Sequence, residues 1–152
     1  MKKFLIAFAS LIILNACDKD KFETKPQIKI VSVNRDVVEK NGSLQFLLEF
    51  TDKEGDVDDS LFVIRQRLNR RSPFTSRPSP YGVPEFPNQS KGEIQVTLAY
   101  NEGITFGISP LRIPGSNPEQ FQPDTMRFKF VLKDKAGNVS DTATSKEIIV
   151  IR

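Results

Sequence analysis

Apolar and polar residues alternate with period two along most of this 152-residue chain. In "SLQFLLEFT" (43–51) Leu44, Phe46, Leu48 and Phe50 fall on one face, with Gln45, Glu49 and Thr51 on the other. "MRFKFVLK" (126–133) repeats the pattern with Met126, Phe128, Phe130 and Leu132. "GEIQVTLAY" (92–100) places Ile94, Val96, Leu98 and Tyr100 together. Alternation over such lengths predicts half-buried strands, because successive side chains of a strand point to opposite faces. Further strands are expected at "QIKIVSV" (27–33), "LFVIRQRL" (61–68), "KEIIVI" (146–151) and, more weakly, "ITFGIS" (104–109). In 61–68 the expected inward residues are Phe62, Ile64 and Leu68, with Arg65 and Arg67 outward. Residues 69–90 hold five prolines and read as a long loop or an excursion along a sheet edge. No helical periodicity competes after residue 26, so the expected fold is all-β: an antiparallel β-sandwich of about seven strands.

The first residues follow another rule. "MKKFLIAFASLIILNAC" carries Lys2 and Lys3, an apolar run from Phe4 to Leu14, and small residues before Cys17, the only cysteine. That order predicts a secretory signal, and the run is short for a membrane span. Leu14-Asn15-Ala16-Cys17 resembles a bacterial lipobox, which implies a signal peptide over 1–16 and a lipid on Cys17. A charged tether over 17–26 and a sandwich domain over 27–152 would follow. The 22 basic residues less Lys2 and Lys3 leave 20 against 19 acidic ones. The basic character therefore belongs partly to the leader, and nucleic acid is not an expected partner.

Composition narrows the chemistry. There is no histidine, which removes Ser-His-Asp and Cys-His nucleophile systems and histidine metal sites. The acids lie in turn-like segments rather than around a cleft, so no enzyme activity and no required cofactor are expected.

"FTDKEGDVDDS" (50–60) gathers Asp52, Glu54, Asp56, Asp58 and Asp59 around Gly55. Shifted by 82 residues it lies over "LKDKAGNVSDT", so that Asp52 faces Asp134, Gly55 faces Gly137 and Asp56 faces Asn138. Two strands that leave a sandwich by the same kind of turn would explain the echo, since Asp and Asn accept backbone hydrogen bonds and Gly supplies positive φ. In such a sandwich the two loops share one end, where Asp52, Glu54, Asp56, Asp58, Asp134, Asn138 and Asp141 could supply the oxygen ligands of a calcium ion. The spacing is not that of an EF-hand, because Gly55 is fourth and Val63 stands at position twelve. The two readings, solvated turn and Ca2+ site, stay side by side.

Arg65, Arg67, Arg70, Arg71 and Arg77, interleaved with Phe74, Tyr81 and Phe86, could grip an anionic glycan or an envelope protein. They could equally keep an edge strand soluble. Asp59-Ser60-Leu61, Asp124-Thr125-Met126 and Asp141-Thr142-Ala143 resemble the periplasmic O-glycosylation sequon of Bacteroidetes, with Ser60, Thr125 and Thr142 as acceptors; the other reading is turn chemistry. The tether after Cys17, the strand ending "FTDKEGDV" and the closing "FKFVLKDKAGNVSDTATSKEIIVI" resemble small immunoglobulin-like lipoproteins of Bacteroidetes. That resemblance implies fold and address rather than an activity: an outer-membrane lipoprotein, on the periplasmic or surface face. Its role would be a binding or structural module, or an accessory glycan-binding subunit of an envelope machine.

Overall fold

The computed structural model describes residues 24–57, 61–82 and 87–152. The leader, Cys17, Asp58, Ser60 and Phe86 lie outside the described residues. The strands are β1 (Gln27–Val33), β2 (Val37–Val38), β3 (Ser43–Thr51), β4 (Leu61–Arg67), β5 (Phe74–Thr75), β6 (Ser79–Tyr81), β7 (Lys91–Ala99), β8 (Leu111–Arg112), β9 (Phe121–Gln122), β10 (Asp124–Leu132), β11 (Ala143–Thr144) and β12 (Ile148–Val150). One sheet runs β1-β3-β7; the facing one runs β2-β12-β10-β4-β5, with β11 against β10 and β6 against β4. The pairs are antiparallel except β2 with β12. This is an all-β sandwich with the sheet division of immunoglobulin-like domains.

The core lies where the sequence places it. Leu44, Phe46, Leu48 and Phe50 of β3 face Met126, Phe128, Phe130 and Leu132 of β10, all buried. Phe46 joins the sheets, with ring centroids 5.5 Å from Phe128 and 4.9 Å from Phe130, the latter edge-on. Aromatic pairs favour such tilted geometry because the positive ring edge meets the negative face.

Two strand expectations are corrected. In β4 the inward residues are Leu61, Val63 and Arg67, while Phe62, Ile64 and Leu68 are half-buried. The phase is the reverse of that expected, and a one-residue change of phase exchanges every side chain between faces. "ITFGIS" is no strand: Tyr100–Ile104 form a single π-helical turn in which Thr105 N–H and Oγ1 donate to Tyr100 O, both at 2.8 Å. Ile104 and Ile108 are buried there, and Gly107 has positive φ. Their spacing of four looked like strand alternation only because Phe106 and Ile108 follow in step.

The proline-rich stretch is an edge excursion. β5 and β6 lie in turn along β4, and Phe74 and Tyr81 pack on the core. Tyr81 Oη accepts from Thr97 N–H of β7 at 3.0 Å, fastening the excursion to the opposite sheet.

Candidate functional site

The turn after β3 is organised by Asp52. Its N–H donates to Ser90 O at 2.9 Å, and its Oδ2 accepts from Gly55 N–H at 2.6 Å and Asp56 N–H at 3.2 Å. Gly55 adopts φ +72°, and a Cβ there would come within 2.9 Å of the Gln89 backbone, so both the dihedral and the close approach require glycine. Asp52 is completely buried, yet its Oδ1 has no hydrogen-bond partner.

The turn after β10 repeats the design. Asp134 Oδ1 accepts from Asn138 N–H and Oδ2 from Asn138 Nδ2, both at 2.7 Å. Gly137, at φ +93°, donates its N–H to Asp134 O at 3.1 Å. The two turns touch: Lys135 N–H donates to Asp56 O at 3.1 Å. One carboxylate oxygen from each of Asp52, Asp56 and Asp134 lies within 4.8 Å of the others. Burial, followed by the negative charges of Asp134 and Asp52, pushes the Asp56 carboxyl above its ordinary range. Asp56 Oδ1 is buried without a partner as well.

The expected seven-residue ligand set shrinks accordingly. Asp52, Asp56 and Asp134 converge, and Asn138 orients Asp134. Glu54 is exposed and outside the group. Asp141 is corrected: its side chain is 98% exposed and pairs with Lys25 Nζ at 2.6 Å. Asp58 lies outside the described residues.

The arginine surface is corrected more deeply. Arg67 is 5% exposed and points between the sheets. Its Nε donates to Ser72 O at 2.8 Å, its Nη1 to Ser109 O at 2.8 Å and its Nη2 to Ser72 Oγ at 2.9 Å. It pairs with Asp124 Oδ1 at 3.5 Å, while Arg152 Nε stands 3.2 Å from Asp124 Oδ2. Burial raises the Asp124 carboxyl despite the opposing pull of Arg152 and Arg67. Arg65 donates from Nη1 to Phe106 O at 2.7 Å and Ile104 O at 3.3 Å, and burial pulls its guanidinium downward. Both arginines thus clamp residues 104–109. Phe74 and Tyr81 belong to the packed excursion. Arg70, Arg71 and Arg77 are exposed, and Arg71 Nη1 donates to Arg112 O at 3.1 Å.

That clamp presents a residue the sequence pattern did not single out. Phe106 is 68% exposed while its carbonyl is held by Arg65. The one available signal was Gly107 interrupting an otherwise strand-like run.

Of the hydroxyl acceptors, Thr142 is exposed in the loop before β11. Thr125 is half-buried in β10, opposite Ile149, with its N–H donating to Asn69 Oδ1 and its carbonyl accepting from Leu68 N–H. A loop-end role is closed to it because its strand is paired on both sides. Ser60 lies outside the described residues.

No known family's sequence model matches the chain, and no curated protein matches it. Among solved structures, the sporulation control protein Spo0M from Bacillus subtilis is similar over 84% of this chain and 50% of that one, at 8% identity and a TM-score of 0.46. This chain therefore spans about half the length of that protein. Among the described residues no helix is long and apolar enough to cross a membrane.

Proposed function

We propose that this protein is a lipid-anchored, non-catalytic binding module of the cell envelope, tethered to the outer membrane through Cys17 and engaging an envelope partner with the pole away from its tether. The observation that carries the reading is polar asymmetry. Gln27 pairs with Thr51, and Lys25 pairs with Asp141, so the chain enters the sandwich at the pole of the acidic turns. A lipid on Cys17 would place that pole toward the bilayer. At the far pole stand the Arg65-held loop with exposed Phe106, and Arg71 against the β8–β9 hairpin. An exposed aromatic whose backbone an arginine holds has the composition of binding hot spots. The signal-like leader, the lone cysteine and the resemblance to small immunoglobulin-like lipoproteins of Bacteroidetes support the same address.

The test has two arms. Metabolic labelling with an alkynyl fatty acid should mark the wild-type protein, and Cys17→Ser should lose both the label and the membrane fraction. Equal labelling of the two would end the anchoring proposal. A photo-crosslinking residue at position 106 should capture an envelope component in intact cells, whereas one at position 136, on the tether pole, should not. Capture only from position 136 would reverse the orientation.

A further inference from the structure

We propose that Asp52, Asp56 and Asp134 form a calcium site that fastens the turn after β3 in one sheet to the turn after β10 in the other. The inference stands on side-chain geometry and does not depend on the lipid anchor. Three carboxylate oxygens within 4.8 Å of one another can all touch one ion. Calcium–oxygen distances of about 2.3–2.6 Å put opposite ligands roughly 5 Å apart. Magnesium, at about 2.0–2.1 Å, demands near-ideal octahedral geometry and gives up its waters reluctantly, so a buried group of three carboxylates suits it less. The donors are all hard oxygens, the set that suits calcium rather than a soft metal.

A cluster of acids alone would say little. The second observation is the state of the oxygens. Asp52 is completely buried and its Oδ1 has no hydrogen-bond donor, and Asp56 Oδ1 is likewise buried without one. Buried carboxylate oxygens ordinarily have partners. The turn's own donors are already committed to the other oxygen of Asp52. What the orphaned pair lacks is a donor or cation between them, and the third carboxylate, Asp134, closes the same space from the facing sheet. Asp134 comes pre-oriented, because Asn138 holds both of its oxygens. The backbone bond from Lys135 to Asp56 O already fixes the separation of the two turns.

The experiment uses the full chain purified in detergent. Equilibrium dialysis with radioactive calcium, in excess magnesium, should find one ion per chain. Thermal unfolding at constant ionic strength should show stabilisation by CaCl2 that is reversed by chelator and not reproduced by MgCl2. At a hundredfold excess over Kd the folding equilibrium constant should rise about a hundredfold. Asp56→Asn is the diagnostic variant, because asparagine already occupies the equivalent place, Asn138, in the sister turn. It should fold, weaken calcium binding at least tenfold and lose the calcium-dependent stabilisation. Asp141→Asn, outside the cluster, should bind as the wild type does. Absence of bound calcium at millimolar concentration, equal binding of magnesium, or wild-type affinity in Asp56→Asn would each overturn the site.

Discussion

The turns after β3 and β10 begin alike and end differently. Each opens with a buried Asp, Asp52 or Asp134, and each places a positive-φ glycine three residues on. In each, the residue four positions after the Asp gives its backbone N–H to that carboxylate. In the second turn that residue is Asn138, whose amide also satisfies the remaining oxygen. In the first it is Asp56, a carboxyl in place of the amide, and Oδ1 of Asp52 is left without a partner. A single exchange of amide for carboxylate converts a self-satisfied turn into one that needs something from outside. The surroundings differ too: Gly55 abuts the Gln89 backbone, whereas nothing lies within contact of a Cβ at Gly137.

The comparison extends back into the strands, where its largest test lies. Phe46 and Phe128 hold equivalent places before the two turns, both fully buried and in ring contact. Phe46→Ala and Phe128→Ala should each cost about 3–5 kcal/mol, from lost burial and the cavity left behind. Urea unfolding of the two variants should give losses of similar size. A cost below about 1 kcal/mol at either position would mean that the two strands are not equivalent walls of one core.

How much of this was legible in the sequence depended on how many signals agreed. In β3 and β10 the apolar face was unambiguous because polar residues occupied the other one. In β4 both faces carried apolar residues, Leu61 and Val63 against Phe62 and Ile64, so only the arginines could set the phase. As charged groups they predict a solvated face. Apart from Ser72, their actual acceptors, the carbonyls of Ile104, Phe106 and Ser109, come from distant segments that no local pattern displays. The Arg67–Asp124–Arg152 group was hidden for the same reason. For the acidic pole the echo between the turns was visible and placed Asp52 beside Asp134 correctly. The pattern could not tell which neighbouring acids aim inward, so Glu54 and Asp141 were included though one faces solvent and the other pairs with Lys25.

A smaller test separates the two opening aspartates. Asp134→Ala removes two hydrogen bonds to a charged group, each worth about 1.5–3 kcal/mol. Asp52→Ala also removes two, but it takes away a buried oxygen that has no partner, whereas both oxygens of Asp134 are bonded; relief of repulsion with Asp56 is common to the two variants. In chelator, Asp134→Ala should therefore destabilise more than Asp52→Ala. The reverse order would show that the first turn is as well satisfied as the second.

The glycines sharpen the difference in packing. Gly137→Ala meets only the left-handed backbone strain, about 1–2 kcal/mol. Gly55→Ala adds a clash with the Gln89 backbone at 2.9 Å, for which overpacking of about 1–3 kcal/mol is typical. Chemical denaturation should rank Gly55→Ala as the costlier. Equal costs would mean that the segment at Gln89 yields freely and does not brace the turn.

The smallest effect is the most telling, because it should carry the opposite sign. Asp56→Asn rebuilds the first turn on the pattern of the second. The new amide can donate to Asp52 Oδ1 as Asn138 donates to Asp134 Oδ2, and the like charge beside Asp52 and Asp134 disappears. Most substitutions at a half-buried polar residue destabilise. This one, in chelator at neutral pH, should raise stability by about 1 kcal/mol, the usual net value of a hydrogen bond gained. In saturating calcium the order should invert, with the wild type the more stable, since only the wild type holds the ion tightly. The measurement is a pair of unfolding curves for each protein, with and without calcium. Two curves that keep the same order in both conditions would mean that the orphaned oxygens of the first turn are not what distinguishes it from the second.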